Sequence, residues 1–394
     1  MKTVSLRELK RFADHDLAGC VTHLTEAMEA GHIKPRQLSI RDLFEALIPD
    51  GTELLRLIGP GKSGRAAMSD ISLLEAAGAV DTSAFANISG QMIFNATKEA
   101  FSMDTFIWPD LCTTVPTSFI HGEIVPGIGG LGDVAEIIME GAEYPTVGVN
   151  EEYTKTAPTQ KRGFIVPVTR EAIIMDRTGL VLDRCAQGGE WLGLNKEKQV
   201  QDVCFGIINN YNRNGTSYNT YLTSGAYIND KTGNALSGSG NEWTALQTLE
   251  ILASAILDPN TNEPISTKPD TIIVPVALRR TAGRILNATS IEQVDLTTNS
   301  ASTIRTTSPN PYGPGEFKIL SNNWVKLRTG SATKWFFGSP KRAIKYMQAW
   351  DIETQQAAPN NFREFNNDIW MQQKVSMRGV AQMMEPRYML RSDA

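Results

Sequence analysis

The sequence is poor in the residues that most often build metal and redox sites. Its 394 residues include four histidines and four cysteines, and the cysteines are scattered at positions 20, 112, 185 and 204 with no C-x-x-C pair. No cysteine, histidine and carboxylate set has the spacing of metal ligands, so no metal site is predicted. Because no secretory leader is recognisable, we expect reduced thiols in a cytoplasmic setting.

Long apolar runs and an excess of basic charge are missing as well. The apolar runs fall far short of the roughly 20 residues that span a bilayer, so no membrane partner is expected. A formal net charge of −5 does not favour a broad basic face for nucleic acid. The length instead predicts two or three subdomains.

One stretch imitates a nucleotide-binding loop. Residues 127–133, GIGGLGD, match the pattern G-x-G-x-x-G, and acids lie about twenty residues further on, where a ribose-binding acid is expected. However, Pro126 directly precedes the loop, and Asp133 and Glu136 place negative charge where a helix start should receive phosphate. We interpret the stretch as a flexible glycine bend, and we predict no catalytic residue and no cofactor.

The order of the segments predicts a chain of mixed helix and sheet. A helical arm is followed by short β-prone runs, including a strand at Arg162–Val168, and then by one long helix from Leu180 to about Asn209. Gly188, Gly189 and Gly193 cost about 1 kcal/mol each inside a helix relative to alanine, so we expect a neighbouring backbone to approach them closely. Further on we predict a strand at Thr271–Pro275, a helix at Val276–Leu286 and a strand at Trp324–Leu327.

Three stretches carry a likeness to a known family. They are EIIMEGAEYP (136–145), KRGFIVPVTREAIIMDRTGLV (161–181) and LGLNKEKQVQDVCFGI (192–207). In this succession the chain resembles the major capsid proteins of tailed bacteriophages with the Hong Kong 97 fold, and among them the Mu-like head-subunit branch.

The resemblance implies an α+β fold with a definite division of the chain. It implies an N-terminal helical arm at 1–105, the start of the P-domain at 106–125 and an extended E-loop hairpin at 126–168. The P-domain spine helix would follow at 169–214, the A-domain at 215–333 and the closing strands of the P-domain at 334–394.

In this fold the hairpin would lie over a neighbouring subunit. The resemblance implies a hinge made of Gly127, Gly129, Gly130 and Gly132. It also implies cross-subunit ion pairs between an acidic outbound half and a basic return half, made by Glu140, Glu143, Glu151, Glu152, Lys155, Lys161 and Arg162.

The resemblance also implies partners and a location. Copies of the chain would form hexamers and pentamers of an icosahedral shell in the virion, assembled in the cytoplasm of a bacterial host. A portal protein and scaffold or decoration proteins would join them, and contact with packaged DNA would be weak and nonspecific. Two alternatives remain open at this point: an encapsulin-like cellular shell, and a nucleotide-dependent enzyme that binds NAD or ATP through residues 127–132.

Overall fold

The computed structural model describes residues 26, 90, 92–103, 105–127, 137–141, 143–144, 152–169, 180–225, 227–236, 242–258, 261–265, 267–296, 303–357 and 369–393. The described helices are α1 (residues 92–101), α2 (Trp108–Leu111), α3 (Leu180–Cys204), α4 (Glu242–Ser254), α5 (Val276–Asn287), α6 (Asn323–Thr329) and α7 (Pro340–Ala343). The described strands are β1 (Thr113–Pro116), β2 (Ile124–Pro126), β3 (Tyr153–Lys155), β4 (Gln160–Thr169), β5 (Tyr211–Arg213), β6 (Thr216–Tyr218), β7 (Asp230–Lys231), β8 (Thr271–Val274), β9 (Ser290–Leu296), β10 (Thr303–Pro309), β11 (Lys318–Ser321), β12 (Trp335–Gly338), β13 (Ile344–Gln356), β14 (Ile369–Met383) and β15 (Met389–Ser392). This mixture agrees with the predicted α+β class.

The chain divides into two compact units. Unit 1 comprises Met1–Phe106, Lys161–Asn195 and Trp350–Arg378, and unit 2 comprises Ile107–Gln160, Lys196–Ala349 and Gly379–Ala394. Each unit is therefore assembled from three separate segments. Nearly all of the predicted N-terminal arm, including three of the four histidines, lies outside the described residues.

In unit 1, glycines let α3 pack directly on neighbouring chain. A Cβ atom added at Gly189 would lie 2.3 Å from the carbonyl oxygen of Thr97 on α1, and one added at Gly193 would lie 2.8 Å from the carbonyl oxygen of Phe101. At Gly188 the closest group is the Phe164 ring of β4, 2.6 Å away. The expected backbone approach is confirmed at Gly189 and Gly193, whereas Gly188 makes room for a side chain.

The sheet of unit 1 shows a second close approach. Strand β4 neighbours β14, and β14 neighbours β13. A Cβ atom at Gly163 on β4 would lie 2.2 Å from the carbonyl oxygen of Val375 on β14, so only glycine fits there. The predicted strand at Arg162–Val168 is confirmed as part of β4.

Unit 2 is built around a five-stranded sheet of order β11-β8-β12-β15-β7. Strand β8, sequence TIIV, is buried along its whole length, as a continuous apolar run in a covered sheet should be. It pairs in parallel with β11 after the crossover helix α5. Leu246 and Leu249 of α4 and Leu278 of α5 pack with Phe337 in the same apolar cluster.

The second half of α3 lies in unit 2 and carries a buried carboxylate. Glu197 has no exposed surface. Its Oε2 accepts a hydrogen bond from the backbone N–H of Trp108 at 2.7 Å, and its Oε1 accepts from that of Ile107 at 3.2 Å. The side-chain amides of Gln201 and Asn322 also donate to Oε1. Burial raises the pKa of Glu197, while these hydrogen bonds oppose the rise.

Two of the sequence expectations are wrong. The predicted strand at Trp324–Leu327 is helix α6, which Asn322 caps by accepting from the Trp324 N–H and which ends at Gly330 with φ +69°. The long helix ends at Cys204 rather than near Asn209, because Gly206 adopts φ +71°. Residues 160–168, the end of the predicted hairpin at 126–168, belong to β4, which neighbours β14.

We predict that the two helix glycines Gly189 and Gly283 respond in opposite directions to replacement by alanine. Gly189→Ala forces a Cβ atom against the Thr97 backbone and should lower the free energy of unfolding by about 1–3 kcal/mol. Gly283 in α5 has no atom within 4 Å of the added Cβ, so Gly283→Ala should raise it by up to about 1 kcal/mol. Denaturant unfolding of the purified chain measures both, and equal effects would contradict the packing described for α3.

We also predict a pH-dependent contribution from Glu197. Its pKa is raised in the folded state, so its stabilising contribution is fully present below the ordinary pKa of about 4.3 and is lost as the pH rises through the folded value. Relative to Glu197→Gln, the wild-type chain should therefore be more stable near pH 4.5 than near pH 8. Urea unfolding across this range tests the difference, with Glu99→Gln at an exposed site as control. A difference that does not change with pH would contradict it.

Candidate intersubunit surface

The two ends of the predicted hairpin, strands β2 and β3, pair with each other in unit 2, and we call this pair the foot of the hairpin. Strands β2 and β3 are antiparallel, with Ile124 opposite Lys155 and Pro126 opposite Tyr153. The pairing extends at both ends, since Thr159 N–H donates to the Ile120 carbonyl at 3.0 Å and Gly127 N–H donates to the Glu152 carbonyl at 2.9 Å. Both strands belong to a four-stranded sheet of order β2-β3-β5-β6. The two ends of the hairpin are thus held together at this sheet.

Glu152 at this foot has a partner in its own chain. Its carboxylate forms an ion pair with Arg213 of β5, and their side chains are only 6% and 15% exposed. Asn214 adds a hydrogen bond, because its Oδ1 accepts from the Tyr153 N–H at 3.0 Å. Glu152 therefore fastens β3 to β5, which is a different role from the predicted cross-subunit pair.

A buried polar cluster contacts the same sheet through Tyr211 of β5. Glu385 forms an ion pair with Arg387 at 3.5 Å, and Tyr211 of β5 donates to the Glu385 carboxylate at 3.5 Å. Burial raises the pKa of Glu385, and the Arg387 guanidinium opposes that rise. Arg387 also lies over the Tyr227 ring, 5.8 Å from its centroid. These contacts hold β5 in place, whereas the edge strand of the sheet, β2, is exposed or half-buried.

The predicted glycine hinge is described at one position. Gly127 belongs to the paired foot, because its N–H donates a hydrogen bond to the Glu152 carbonyl. Gly129, Gly130, Gly132 and Glu151 lie outside the described residues.

The outer part of the hairpin exposes apolar and acidic side chains together. In the acidic tip segment, defined as residues 137–141 and 143–144, the exposed fractions are 99% for Ile137, 80% for Met139 and 82% for Tyr144. Glu140 and Glu143 are exposed among them. Gly141 has φ +84°, so the chain turns within the segment. Large exposed apolar side chains grouped in this way are typical of an interaction surface.

The predicted basic return half is divided between the two units. Lys155 is an exposed residue of β3 in unit 2. Lys161 and Arg162 lie at the start of β4 in unit 1, where Lys161 Nζ is 5.9 Å from the centroid of the Trp350 ring.

Lys161 and Arg162 help to line a groove of about 750 Å³ within unit 1. We call it the basic groove; it lies between the start of β4 and residues 184–195 of α3. Its other walls include Phe164, Arg184, Gln187 and Trp191. Trp191 is 76% exposed, and Arg184 is also an exposed residue. The groove thus offers three cationic groups around an open aromatic surface.

The sequence did contain a signal for this groove. Arg184, Gln187, Trp191 and Asn195 are spaced three or four residues apart along α3, so they share one helical face. A tryptophan among polar residues on a face that should be solvated is unusual. The apolar face alone predicts the helix, and Arg184 and Trp191 lie on the other face, so the predicted site residues do not include them.

The described residues offer little for catalysis or metal binding. Among them, no group of three or more histidine, cysteine, aspartate or glutamate side chains could hold a metal ion. Burial raises the pKa of the Cys112 and Cys185 thiols to about 12, so both are protonated and unreactive at neutral pH. No described helix has the length and hydropathy needed to cross a membrane.

Comparisons with known proteins identify relatives of this chain. A family model described as "Phage capsid protein" matches residues 151–392. Similar solved structures include one from Mycobacterium phage Bobi, with 14% identity over 74% of this chain and 91% of that chain and a TM-score of 0.45. The capsid of cyanophage P-SCSP1u has 10% identity over 73% and 88%, with a TM-score of 0.45. A virus-like particle from Pyrococcus furiosus has 13% identity over 76% and 98%, with a TM-score of 0.40. No curated protein sequence matches.

We predict that the Glu152–Arg213 pair contributes more to stability than an exposed pair. Arg213→Met leaves a nearly buried carboxylate without its partner and should cost about 3–5 kcal/mol of unfolding free energy. The double variant Glu152→Gln with Arg213→Met should recover part of that loss. Lys318→Met is the control, since its pair with Asp110 is 56% and 33% exposed and should be worth about 0–1 kcal/mol. Equal losses from Arg213→Met and Lys318→Met would contradict the role given to Glu152.

Proposed function

Since this chain belongs to the phage capsid protein family, whose model matches more than half of it, we propose that it is the major subunit of an icosahedral phage head of the Hong Kong 97 type. Its function is structural, because members of this family form the shell of the head. The match over residues 151–392 is the observation that carries the proposal. It covers β4, α3, the lobe around the five-stranded sheet and the closing strands.

The described elements support a division of labour among the parts of the chain. We assign the hairpin that begins at β2 and returns through β3 to contact with a neighbouring subunit. Its foot is held by β5, while the acidic tip segment exposes Ile137, Met139 and Tyr144. We assign the lobe at 215–333 to contacts around the capsomer centre, and α3 with the closing strands to the P-domain. The Mu-like branch remains a prediction that rests on the sequence stretches alone.

The proposal includes partners and a place of assembly. Copies would form hexamers and pentamers in the cytoplasm of a bacterial host, joined by a portal and by scaffold or decoration proteins. The net charge of −5 supports weak, nonspecific contact with the enclosed DNA. We propose no catalytic step for this chain; the buried, protonated thiols of Cys112 and Cys185 offer no nucleophile.

Electron microscopy of the purified protein tests the proposal. We expect uniform closed particles, because a family of shell subunits buries apolar surface between identical copies. A monomer or small oligomer at every salt concentration would contradict the proposed function.

Charge reversal at Lys161 and Arg162 tests the assembly role of the basic groove. We predict that Lys161→Glu with Arg162→Glu impairs particle formation while the thermal unfolding of the subunit stays close to wild type, because Lys161 is exposed and Arg162 is only half-buried. Particle yield by microscopy and sedimentation measures the effect. Normal particles from this variant would exclude the cross-subunit role of these two residues.

A further inference from the structure

We propose that Asn214 is a site of self-modification, where the side-chain amide is lost by deamidation whenever the turn that holds it opens. Asn214–Gly215 is the one Asn-Gly pair in the sequence. It joins β5 to β6, and Asn214 contacts Tyr153 at the foot of the hairpin. The inference goes beyond the proposed function and does not depend on it, because the reaction takes place within one chain.

Deamidation at an Asn-Gly pair needs water and no enzyme. The Gly215 backbone nitrogen gives its proton to solvent and attacks Cγ of Asn214; the N–Cγ bond forms, the Cγ–Nδ2 bond breaks, and Nδ2 takes up a proton and leaves as ammonia. Water then opens the cyclic imide. Opening at Cγ gives aspartate, and opening at the backbone carbonyl carbon gives isoaspartate. The net reaction consumes water and releases ammonia, with no oxidation or reduction. Glycine favours it because no Cβ shields the nitrogen.

The closed turn blocks this attack. Arg213 pairs with Thr216, so Asn214 and Gly215 form a two-residue loop, and their φ values of +50° and +83° are those of a type I′ turn. In such a turn ψ of the first loop residue is about +30°. Because Cβ and the backbone nitrogen diverge tetrahedrally from Cα, this ψ value places the Gly215 nitrogen on the side of the Cα–C bond away from Cβ. The nitrogen is then out of reach of Cγ.

Strand β3 and the ion pair beside it keep the turn closed. The Asn214 N–H donates to the Tyr153 carbonyl at 3.0 Å, and the Tyr153 N–H donates to Asn214 Oδ1 at 3.0 Å. Both the backbone and the side chain of Asn214 are therefore fixed. Arg213, the preceding residue, is held by its nearly buried pair with Glu152. Asn214 itself is exposed, so opening of these local contacts is sufficient to start the reaction.

One of the two products does not fit the closed turn. Isoaspartate adds a methylene group to the backbone, and the length of a hairpin loop sets the register of its strands. A loop lengthened in this way no longer joins Arg213 to Thr216 in register, and the contacts with Tyr153 are lost. Aspartate keeps the original backbone length and tolerates positive φ. Formation of isoaspartate therefore turns a reversible opening at the foot of the hairpin into a permanent one.

Comparison of the folded and unfolded chain is the first arm of the test. Both are incubated at the same mildly alkaline pH, one in buffer and one in guanidinium chloride, and cleavage after lysine gives a peptide of residues 199–231. Mass spectrometry of its fragments measures the conversion of Asn214. We expect the folded chain to react at least about tenfold more slowly, because only the open fraction reacts. Equal rates would overturn the inference.

Loosening the ion pair is the second arm. Arg213→Met should speed the reaction of the folded chain about tenfold, whereas Lys318→Met, which breaks an exposed pair, should leave the rate unchanged. Slow hydrogen exchange in the buried strand β8 shows that the variant opens locally. If β8 loses its protection, the milder Glu152→Gln takes the place of Arg213→Met. An unchanged rate at Asn214 in a variant with β8 still protected would overturn the inference.

The structure of the product is the third arm. Isoaspartate in the incubated chain is identified by an isoaspartyl methyltransferase with labelled S-adenosylmethionine. Amides of residues 152–155 should exchange hydrogen faster in that chain than before incubation. Asn214→Asp carries the new charge without the added methylene, and it should keep the slow exchange. Equal exchange before and after incubation, or fast exchange in Asn214→Asp, would overturn the inference.

Discussion

The direct packing of helix α3 on neighbouring backbone is the constraint on which unit 1 depends. Gly189 and Gly193 leave no room for a side chain between α3 and the chain around Thr97 and Phe101. Once this face of the helix is fixed, the face that carries Arg184 and Trp191 has to point away from it. Gly188 in turn makes room for Phe164, which brings the start of β4 beside that outward face. The basic groove is therefore a consequence of three small residues on one helix.

Charged residues serve two separate purposes in this chain. Buried or nearly buried pairs, such as Glu152 with Arg213 and Asp230 with Arg391, join strands within unit 2. Exposed charges, such as Glu140 and Glu143 on the tip segment and Arg184 in the groove, are available to other molecules. A subunit that assembles with copies of itself needs both kinds. The first kind keeps the hairpin foot in one conformation.

The sequence predicts those helices, strands and close contacts that depend on residue types and spacing within one short segment. The apolar run of β8, the start of α3 and the need for close approach at Gly189 could all be inferred from residue types and spacing. The pairing of residues 160–169 could not, because these residues are β-prone whichever strand they pair with, and pairing with β14 depends on chain about two hundred residues away. Helix α6 was missed because Trp324–Leu327 is apolar and short, and such runs do not distinguish strand from helix. Its capping residues, Asn322 and Gly330, were the better signal.

Only part of the candidate intersubunit surface could be predicted, because local patterns are visible in a sequence and tertiary contacts are not. Lys161 and the acids of the tip segment stand out as charges, whereas the pair of Glu152 with Arg213 in its own chain is not visible from the sequence. Arg184 and Trp191 belong to the site only because tertiary packing places them beside β4.

Reconstruction of assembled particles by electron cryomicroscopy, at a resolution that shows side chains, tests the central claim most directly. The account predicts closed shells in which residues 137–144 of each subunit are covered by an adjoining subunit; shells in which this segment faces solvent would contradict it.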